Sequence, residues 1–168
     1  MRLTLKDLKK KTGADKVYPD GRFRKNNKWG IVNCKTGEII KEALADSIFS
    51  NGIFTQKDKL GIIDIKTGGI IKQPFANYLY NDGLFIQNNQ CGIINLKTGE
   101  ILKEPFADII TFKGIFEQNN KWGIINTKTG EIIKEVFADI IYPDGNFRNN
   151  NKWGMIDIKT GEIVNEAR

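Results

Sequence analysis

Histidine is absent from this 168-residue sequence, and cysteine occurs only at Cys34 and Cys91. Without histidine the chain cannot build a Ser-His-Asp triad, a Cys-His nucleophile pair or most kinds of zinc site. The sequence therefore predicts no catalytic residue, no metal site and no cofactor, and we expect a protein without enzymatic activity.

Long apolar runs are also missing. No stretch approaches the roughly 20 apolar residues of a membrane-spanning helix. The N-terminal segment Met1–Leu8 has a basic start but lacks the apolar core of a signal peptide. We therefore expect a cytoplasmic protein with no membrane partner.

The net charge of +6 is distributed unevenly along the chain. Residues 1–13 hold +4 of it, because Asp7 is the only acidic residue among five basic ones, Arg2, Lys6, Lys9, Lys10 and Lys11. We predict that this segment is a basic N-terminal tail or a short helix with Leu5 and Leu8 on one side, ended by Gly13. The remaining 155 residues are nearly balanced in charge.

A repeat of 31 residues runs through the rest of the chain without an insertion. It is marked by two series of glycines: Gly30, Gly61, Gly92, Gly123 and Gly154, and Gly37, Gly68, Gly99, Gly130 and Gly161. We divide a single repeat domain, residues 14–168, into the repeats 14–44, 45–75, 76–106, 107–137 and 138–168. The two cysteines stand at different points of the repeat, and we expect both to be free thiols.

Each repeat contains four short segments typical of β-strands. In repeat 107–137 they are residues 107–110, 114–118, 122–126 and 131–134. The pair Asn119-Asn120 predicts a tight turn because asparagine tolerates left-handed backbone angles, and Lys128-Thr129-Gly130 predicts another. The sequence thus predicts an all-β fold of five four-stranded repeats.

Neighbouring apolar residues such as Ile124-Ile125 and Ile132-Ile133 recur in the last two strands of most repeats. Because adjacent strand residues point to opposite faces, both faces of each sheet must be buried. Propeller blades and solenoid coils bury both faces, whereas a single-walled barrel favours alternation.

We predict a closed five-bladed β-propeller, with an open β-solenoid of stacked hairpins as the alternative. The whole number of repeats and the likeness of Tyr18–Arg24 to Tyr142–Arg148 favour closure. Arg22 and Arg24 oppose it, because the middle repeats have mainly apolar residues there and polar end repeats are typical of open stacks.

The pattern Gly-x-Phe, Lys-Trp-Gly-Ile-Ile-Asp/Asn and Lys-Thr-Gly-Glu-Ile-Ile resembles the WG-repeat family of bacterial proteins, also called the KWG repeat. The resemblance covers about 155 residues. The Lys-Trp-Gly motif is intact at Trp29, Trp122 and Trp153, while Leu60 and Cys91 replace tryptophan. The resemblance implies a bacterial-type repeat module with no enzymatic activity and no defined ligand residues.

Aromatic residues at a constant repeat position indicate core packing more often than ligand stacking. We assign to the core Phe23, Phe54, Phe85, Phe116, Phe147, Trp29, Trp122 and Trp153. Carboxylates recur as Asp15, Asp46, Asp108 and Asp139; they could line a cation site, but we expect each to bond its own backbone. The turn lysines, such as Lys128, form a solubilising rim or an anion-binding crown.

The first and last repeats meet at a basic seam if the ring closes. The candidate binding residues of this seam and of the tail are Arg2, Lys9, Lys10, Lys11, Arg22, Arg24, Lys25, Lys28, Arg148 and Lys152. We expect an interaction or scaffold module that binds a partner protein through one face or this seam. The alternatives are electrostatic nucleic-acid binding through tail and seam, and lectin-like ligand binding. We expect a monomer unless the ring is open.

Overall fold

The computed structural model describes residues 2–166 as one helix followed by twenty short strands. The helix α1 spans Leu5–Thr12. The strands are β1 (Lys16–Val17), β2 (Arg22–Lys25), β3 (Lys28–Val32), β4 (Ile39–Ala45), β5 (Ser47–Ile48), β6 (Ile53–Gln56), β7 (Lys59–Ile63), β8 (Ile70–Ala76), β9 (Tyr78–Leu79), β10 (Leu84–Gln87), β11 (Gln90–Ile94), β12 (Ile101–Ala107), β13 (Ile109–Ile110), β14 (Ile115–Gln118), β15 (Lys121–Ile125), β16 (Ile132–Ala138), β17 (Ile140–Ile141), β18 (Asn146–Asn149), β19 (Lys152–Ile156) and β20 (Ile163–Asn165).

These strands form five antiparallel four-stranded sheets in chain order: β1–β4, β5–β8, β9–β12, β13–β16 and β17–β20, numbered sheets 1 to 5. The predicted all-β fold of five four-stranded repeats is therefore confirmed. Two compact units, Met1–Leu79 and Tyr80–Arg168, divide the chain.

The predicted asparagine turns have left-handed backbone angles. In the β14–β15 hairpin φ is +54° at Asn119 and +60° at Asn120, with Gln118 paired to Lys121. Positive φ at both central residues twists a two-residue turn in the sense that strand pairing requires. Lys57 and Asp58 have the same geometry in sheet 2, at φ of +51° and +59°, so the hairpin forms even without asparagine.

The fourth strand of each sheet is longer than predicted in sheets 1 to 4. In sheet 4 it continues to Ala138 instead of ending near residue 134, because two register shifts let β16 pair with β15 as far as Trp122 opposite Ala138. The sheets consequently change one or two residues after the predicted repeat boundaries, and Ala107, expected to begin a strand, ends β12.

Each sheet has two different apolar faces. The face that carries Phe23, Phe54, Phe85, Phe116 or Phe147 is called the Phe face. The opposite face carries Trp29, Leu60, Cys91, Trp122 or Trp153 and is called the Trp face. Cross-strand pairing joins Phe116 to Gly123 on one face and Ile115 to Ile124 on the other.

Within each unit, the Trp face of one sheet packs on the Phe face of the next. In the first unit, Ile31 of sheet 1 joins Phe54 and Ile63 of sheet 2 in one buried cluster. In the second unit, Ile93 of sheet 3 packs with Phe116 of sheet 4. The Trp-face residues Ile115 and Ile124 of sheet 4 likewise pack with Phe147 and Ile156 of sheet 5.

The helix α1 covers the Phe face of sheet 1. Its Leu8 is 1% exposed and lies in a cluster with Ala14, Phe23 and Val32. Thr4 and Asp7 form a capping box at its N-terminus, and Gly13 ends it in a left-handed conformation. Leu5, expected beside Leu8, is 45% exposed. No helix within residues 2–166 has the length and apolar character needed to cross a membrane.

Candidate functional site

The Trp face of sheet 5 is the largest departure from the packing of the other sheets. Trp153, Met155 and Val164 on this face are 52%, 38% and 58% exposed. The residues that correspond to Met155 are Ile31, Ile62, Ile93 and Ile124, and none of them is more than 2% exposed. The last sheet thus presents to solvent an apolar surface that the fold buries elsewhere.

The strands of sheet 5 are held in place from the other side. Phe147 and Ile156 on its Phe face are each 2% exposed and pack against sheet 4. On the exposed face Tyr142 stacks on Trp153, with ring centroids 5.9 Å apart and planes inclined by 23°. The apolar surface is therefore built on a supported sheet, with its tryptophan held by a second ring.

A lysine borders this surface and lacks the aspartate partner that the corresponding lysines of sheets 1 and 4 have. Lys121 of sheet 4 pairs with Asp139, which leads into sheet 5, at 2.5 Å. Lys28 of sheet 1 pairs in the same way with Asp46, which leads into sheet 2. Lys152 stands at the corresponding position of sheet 5 and is exposed. Its backbone pairs with Asn149, but its side chain has no hydrogen bond or ion pair to residues 2–166. Its ammonium group is free for an external carboxylate.

The pairing of Lys121 with Asp139 has an electrostatic signature. The hydrogen bond from Lys121, reinforced by the donated Asn150 N–H, lowers the pKa of the Asp139 carboxyl below its ordinary 3.8. The corresponding hydrogen bond from Lys28, followed by the Lys57 N–H, lowers the pKa of Asp46. A carboxylate opposite Lys152 would gain the same kind of stabilisation.

The predicted seam residues of the first unit are engaged inside that unit. Arg22 donates to Asp20 at 2.7 Å and to the Ile48 carbonyl at 2.7 Å, and its side chain is 14% exposed. Its guanidinium lies 5.1 Å from the Tyr18 ring centroid. Arg22 is on the Trp face of sheet 1 and so faces sheet 2, which makes it a packing residue.

The other basic candidates also have local partners or lie on α1. Arg24 donates to Asn27 at 2.6 Å and Lys25 to the Thr12 carbonyl at 3.1 Å, while Lys28 pairs with Asp46. Arg2 donates to the Pro19 carbonyl and Lys11 to the Thr36 carbonyl at 2.8 Å; Lys9 and Lys10 are exposed in the last turn of α1. Arg148 and Lys152 belong to the second unit and are exposed. The seam between the two groups stays a prediction.

The predicted aromatic core divides into two groups. The five phenylalanines are at most 3% exposed, while Trp29 and Trp122 are half-buried. Trp153 was expected in the core and is instead 52% exposed. Met155, Val164 and Tyr142 were not predicted as surface residues. The feature of the sequence that could have indicated this exposed face is the polar Asn146, which stands at the position of Ile115 in sheet 4.

The recurring aspartates order the hairpin turns. Asp15, Asp46, Asp108 and Asp139 each accept the backbone N–H of the residue eleven positions later, at 3.0, 2.9, 3.2 and 2.7 Å. They were expected to bond their own backbone, and they bond the next hairpin instead. Residues 2–166 contain no group of three or more cysteine, aspartate or glutamate side chains that could hold a metal ion.

Two cavities on different repeats differ in volume and in lining residues. One of about 350 Å³ lies beside Cys91, between Tyr80 and Phe112, and one of about 130 Å³ lies beside Leu44. Both cysteines are free, and burial raises the pKa of the Cys91 thiol, so it remains protonated and a poor nucleophile at neutral pH. A lectin-like protein would need equivalent pockets, which these two are not.

Comparisons with known proteins add little to these observations. No family model and no curated protein matches the chain. The similar solved structures include the crystal structure of the computationally designed Ika8 protein, at 14% identity and a TM-score of 0.34. The similar region covers 88% of this chain and 58% of that one. A likeness at this level supports no assignment of fold or function.

Proposed function

We propose that this chain is a non-enzymatic interaction module whose last sheet binds a partner protein through its Trp face. The observation that carries the proposal is the exposure of Trp153, Met155 and Val164 on a face whose corresponding residues are buried or half-buried in the preceding sheets. Exposed apolar patches rimmed by polar residues are typical of protein interaction sites, and tryptophan is enriched among the residues that dominate binding energy.

The packing of the other sheets indicates the chemistry of the partner. Ile124 is covered by apolar side chains of the next sheet, while Lys121 pairs with an aspartate that precedes that sheet. A partner that satisfies Met155 and Lys152 in the same way presents an apolar face with a carboxylate at its edge. We expect this face to be a β-sheet, because a sheet covers the equivalent surface within each unit.

A different polypeptide fits this role better than a second copy of the chain. Head-to-tail association would require a free Phe face on the second copy. The Phe face of sheet 1 is covered by α1, where Leu8 is 1% exposed, and that of sheet 5 is covered by sheet 4. Self-association through this route would first have to displace the helix.

The covered Phe face of sheet 1 is relevant to the choice between a propeller and a solenoid. The closed five-bladed propeller expected from the sequence leaves no end face, whereas an open β-solenoid has two. Coverage of the Phe face of sheet 1 by α1 supports the open alternative, because a closed ring would need that face for packing against sheet 5. We therefore propose an open array of WG-type repeats.

Electrostatic binding of nucleic acid has less support. Arg22, Arg24, Lys25 and Lys28 are engaged by groups of the first unit, so this part of the predicted cation set already has partners. A titration with duplex DNA and with single-stranded RNA at low salt checks this alternative. Tight binding that falls steeply with salt would restore it.

The test of the main proposal compares three single variants as bait for cell proteins, Met155→Glu, Lys152→Glu and the control Phe112→Glu. Phe112 is 75% exposed and lies between β13 and β14 of sheet 4, so its variant adds the same charge as Met155→Glu outside sheet 5. We expect a protein that wild type and the control retain and that the two face variants lose. The partner is then purified, and we expect reversal of its edge carboxylate to lysine to restore binding to Lys152→Glu.

Two results would overturn the proposal. One is that the face variants and the wild-type chain retain the same proteins with equal affinity. The other is that the purified chain is a stable dimer which Met155→Glu converts to monomer, since the face would then be covered by a second copy. Light scattering measures the oligomeric state of the wild-type chain and of Met155→Glu.

A further inference from the structure

A small cavity lies between sheets 1 and 2 in the first unit. It has a volume of about 130 Å³, and its lining includes Trp29, Lys41, Leu44, Phe54, Gln56 and Gln73. Phe54 is 3% exposed and forms part of the apolar wall, together with Ile48 and Ile70. The polar lining residues Glu42 and Gln73 are exposed, so the cavity has an apolar wall and an entrance that can bind a polar group.

The later repeats show what occupies this place when it is filled. Leu44 corresponds to a phenylalanine in each of the next three sheets. In the second unit, Phe106 packs on Phe116 with ring centroids 5.1 Å apart, and Phe137 packs on Phe147 at the same distance. The Phe face of the following sheet thus receives a ring in a tilted or edge-on contact.

A lysine accompanies the ring in each of these repeats. The ammonium nitrogens of Lys72, Lys103 and Lys134 lie 5.7, 5.3 and 5.7 Å from the centroids of Phe75, Phe106 and Phe137. These distances are within the range of cation–π attraction. The repeat therefore combines two elements that recognise one ring, an aromatic wall and a cation above it.

Sheet 1 keeps both elements but lacks the ring. Lys41 and Phe54 line the cavity, while Leu44 is 59% exposed, and within residues 2–166 Lys41 lies over no aromatic ring. We propose that this cavity binds a single aromatic ring of a small ligand, in the place of the missing phenylalanine. The volume agrees, since apolar cavities of about 150 Å³ admit benzene.

The polar residues that line the cavity indicate which class of ligand it binds. A lysine ammonium favours an electron-rich ring, and Gln56, Gln73 and Glu42 can hydrogen-bond to a ring hydroxyl. Phenol combines these properties and is the probe. Cyclohexanol is the matched control, because it has the same size and hydroxyl group but no π-system.

The experiment follows the Trp29 indole N–H signal by NMR during titration with phenol and with cyclohexanol. We expect saturable binding of phenol with a Kd of about 1 mM, as befits seven non-hydrogen atoms, and binding of cyclohexanol at least several-fold weaker. Leu44→Phe should abolish binding, because the chain's own ring fills the cavity. Lys41→Met should weaken it by about 2- to 5-fold.

A second variant transfers the site. Phe137→Leu reproduces at sheet 4 the residue found at sheet 1, and we expect it to create a phenol site reported by the Trp122 indole signal. Wild-type protein that shows no saturable Trp29 shift up to the solubility limit of phenol overturns the proposal. Equal affinities for phenol and cyclohexanol, or undiminished binding by Leu44→Phe, would also refute it.

Discussion

Gly92 occupies a place in sheet 3 where the fold leaves no room for a side chain. A Cβ atom at this position would lie 2.5 Å from Cζ of Phe85, 2.7 Å from its Cε1 and 2.9 Å from the Lys103 carbonyl oxygen. Phe85 is 0% exposed and lies opposite Gly92 in the pairing of β10 with β11. We therefore expect Gly92→Ala to destabilise the protein for steric reasons, without any backbone strain.

The magnitude follows from two opposing effects. Overpacking a close-packed interior costs about 1–3 kcal/mol, because the ring must move by roughly an ångström against its neighbours. Alanine restricts the unfolded chain and returns about 0.4–1 kcal/mol. The expected net loss in the free energy of unfolding is therefore about 1–2 kcal/mol.

A double-mutant cycle identifies the clashing group. Phe85→Leu alone should cost about 1–2 kcal/mol, but it shortens the side chain that meets the new methyl group. The double variant should then be more stable than the sum of the single losses predicts, by at least about 0.5 kcal/mol. Urea unfolding followed by circular dichroism gives all four free energies.

The control is another Gly-to-Ala change at a site with space. Gly69 is exposed, and its nearest neighbour to a new Cβ would be the flexible Thr67 hydroxyl at 3.3 Å. Gly69→Ala should stabilise the protein by about 0.4–1 kcal/mol. Strict additivity of Gly92→Ala and Phe85→Leu, or equal effects of Gly92→Ala and Gly69→Ala, would refute the steric explanation.

Three further predictions concern the helix, the tryptophans and pH. Leu8→Ala should cost about 2–5 kcal/mol and release α1, seen as fast hydrogen exchange in residues 5–12, because an eight-residue helix is marginal without packing; protected amides there would contradict this. Trp122→Ala should cost about 2 kcal/mol and Trp153→Ala less than about 1 kcal/mol in thermal unfolding, since only Trp122 is half-buried. The lowered pKa of Asp139 adds stability that is complete above its unfolded value of 3.8 and is lost as pH falls through the folded pKa. Asp139→Asn keeps the turn acceptor but not the charge, so its melting temperature should approach that of wild type between about pH 5 and pH 2; a constant difference would contradict the assignment.

Much of the fold could be predicted from local chemistry. The 31-residue spacing of glycines such as Gly92 and Gly123 marks the hairpins, and Asn119-Asn120 indicates the turn that the backbone adopts. The length of β16 could not be predicted, because it depends on register shifts that only the partner strand determines. The docking of α1 was also beyond reach, since Leu5 and Leu8 are equally apolar and only one is buried.

The candidate site shows a sharper limit. Trp122 and Trp153 stand in the same Lys-Trp-Gly motif, yet one is half-buried and the other is 52% exposed. Nothing in the motif distinguishes them, because burial depends on the sheet that lies opposite. Arg22 shows the converse, since a residue read as a free cation has a carboxylate, a carbonyl and an aromatic ring around it.

Each repeat is a unit with two unlike sides, the Trp face and the Phe face. The exposure of a residue therefore depends on what covers its face and not on the Lys-Trp-Gly motif. In sheets 1 and 4 a lysine beside the Trp face pairs with an aspartate that introduces the next Phe face, as Lys121 does with Asp139. At the first sheet a helix satisfies the Phe side by placing Leu8 on it. In sheet 5 the Trp side keeps its lysine and its apolar residues, and neither counterpart is found among residues 2–166. From this asymmetry we infer that the chain's binding capacity lies at the unmatched side, where Lys152 and Met155 retain the chemistry of an interface.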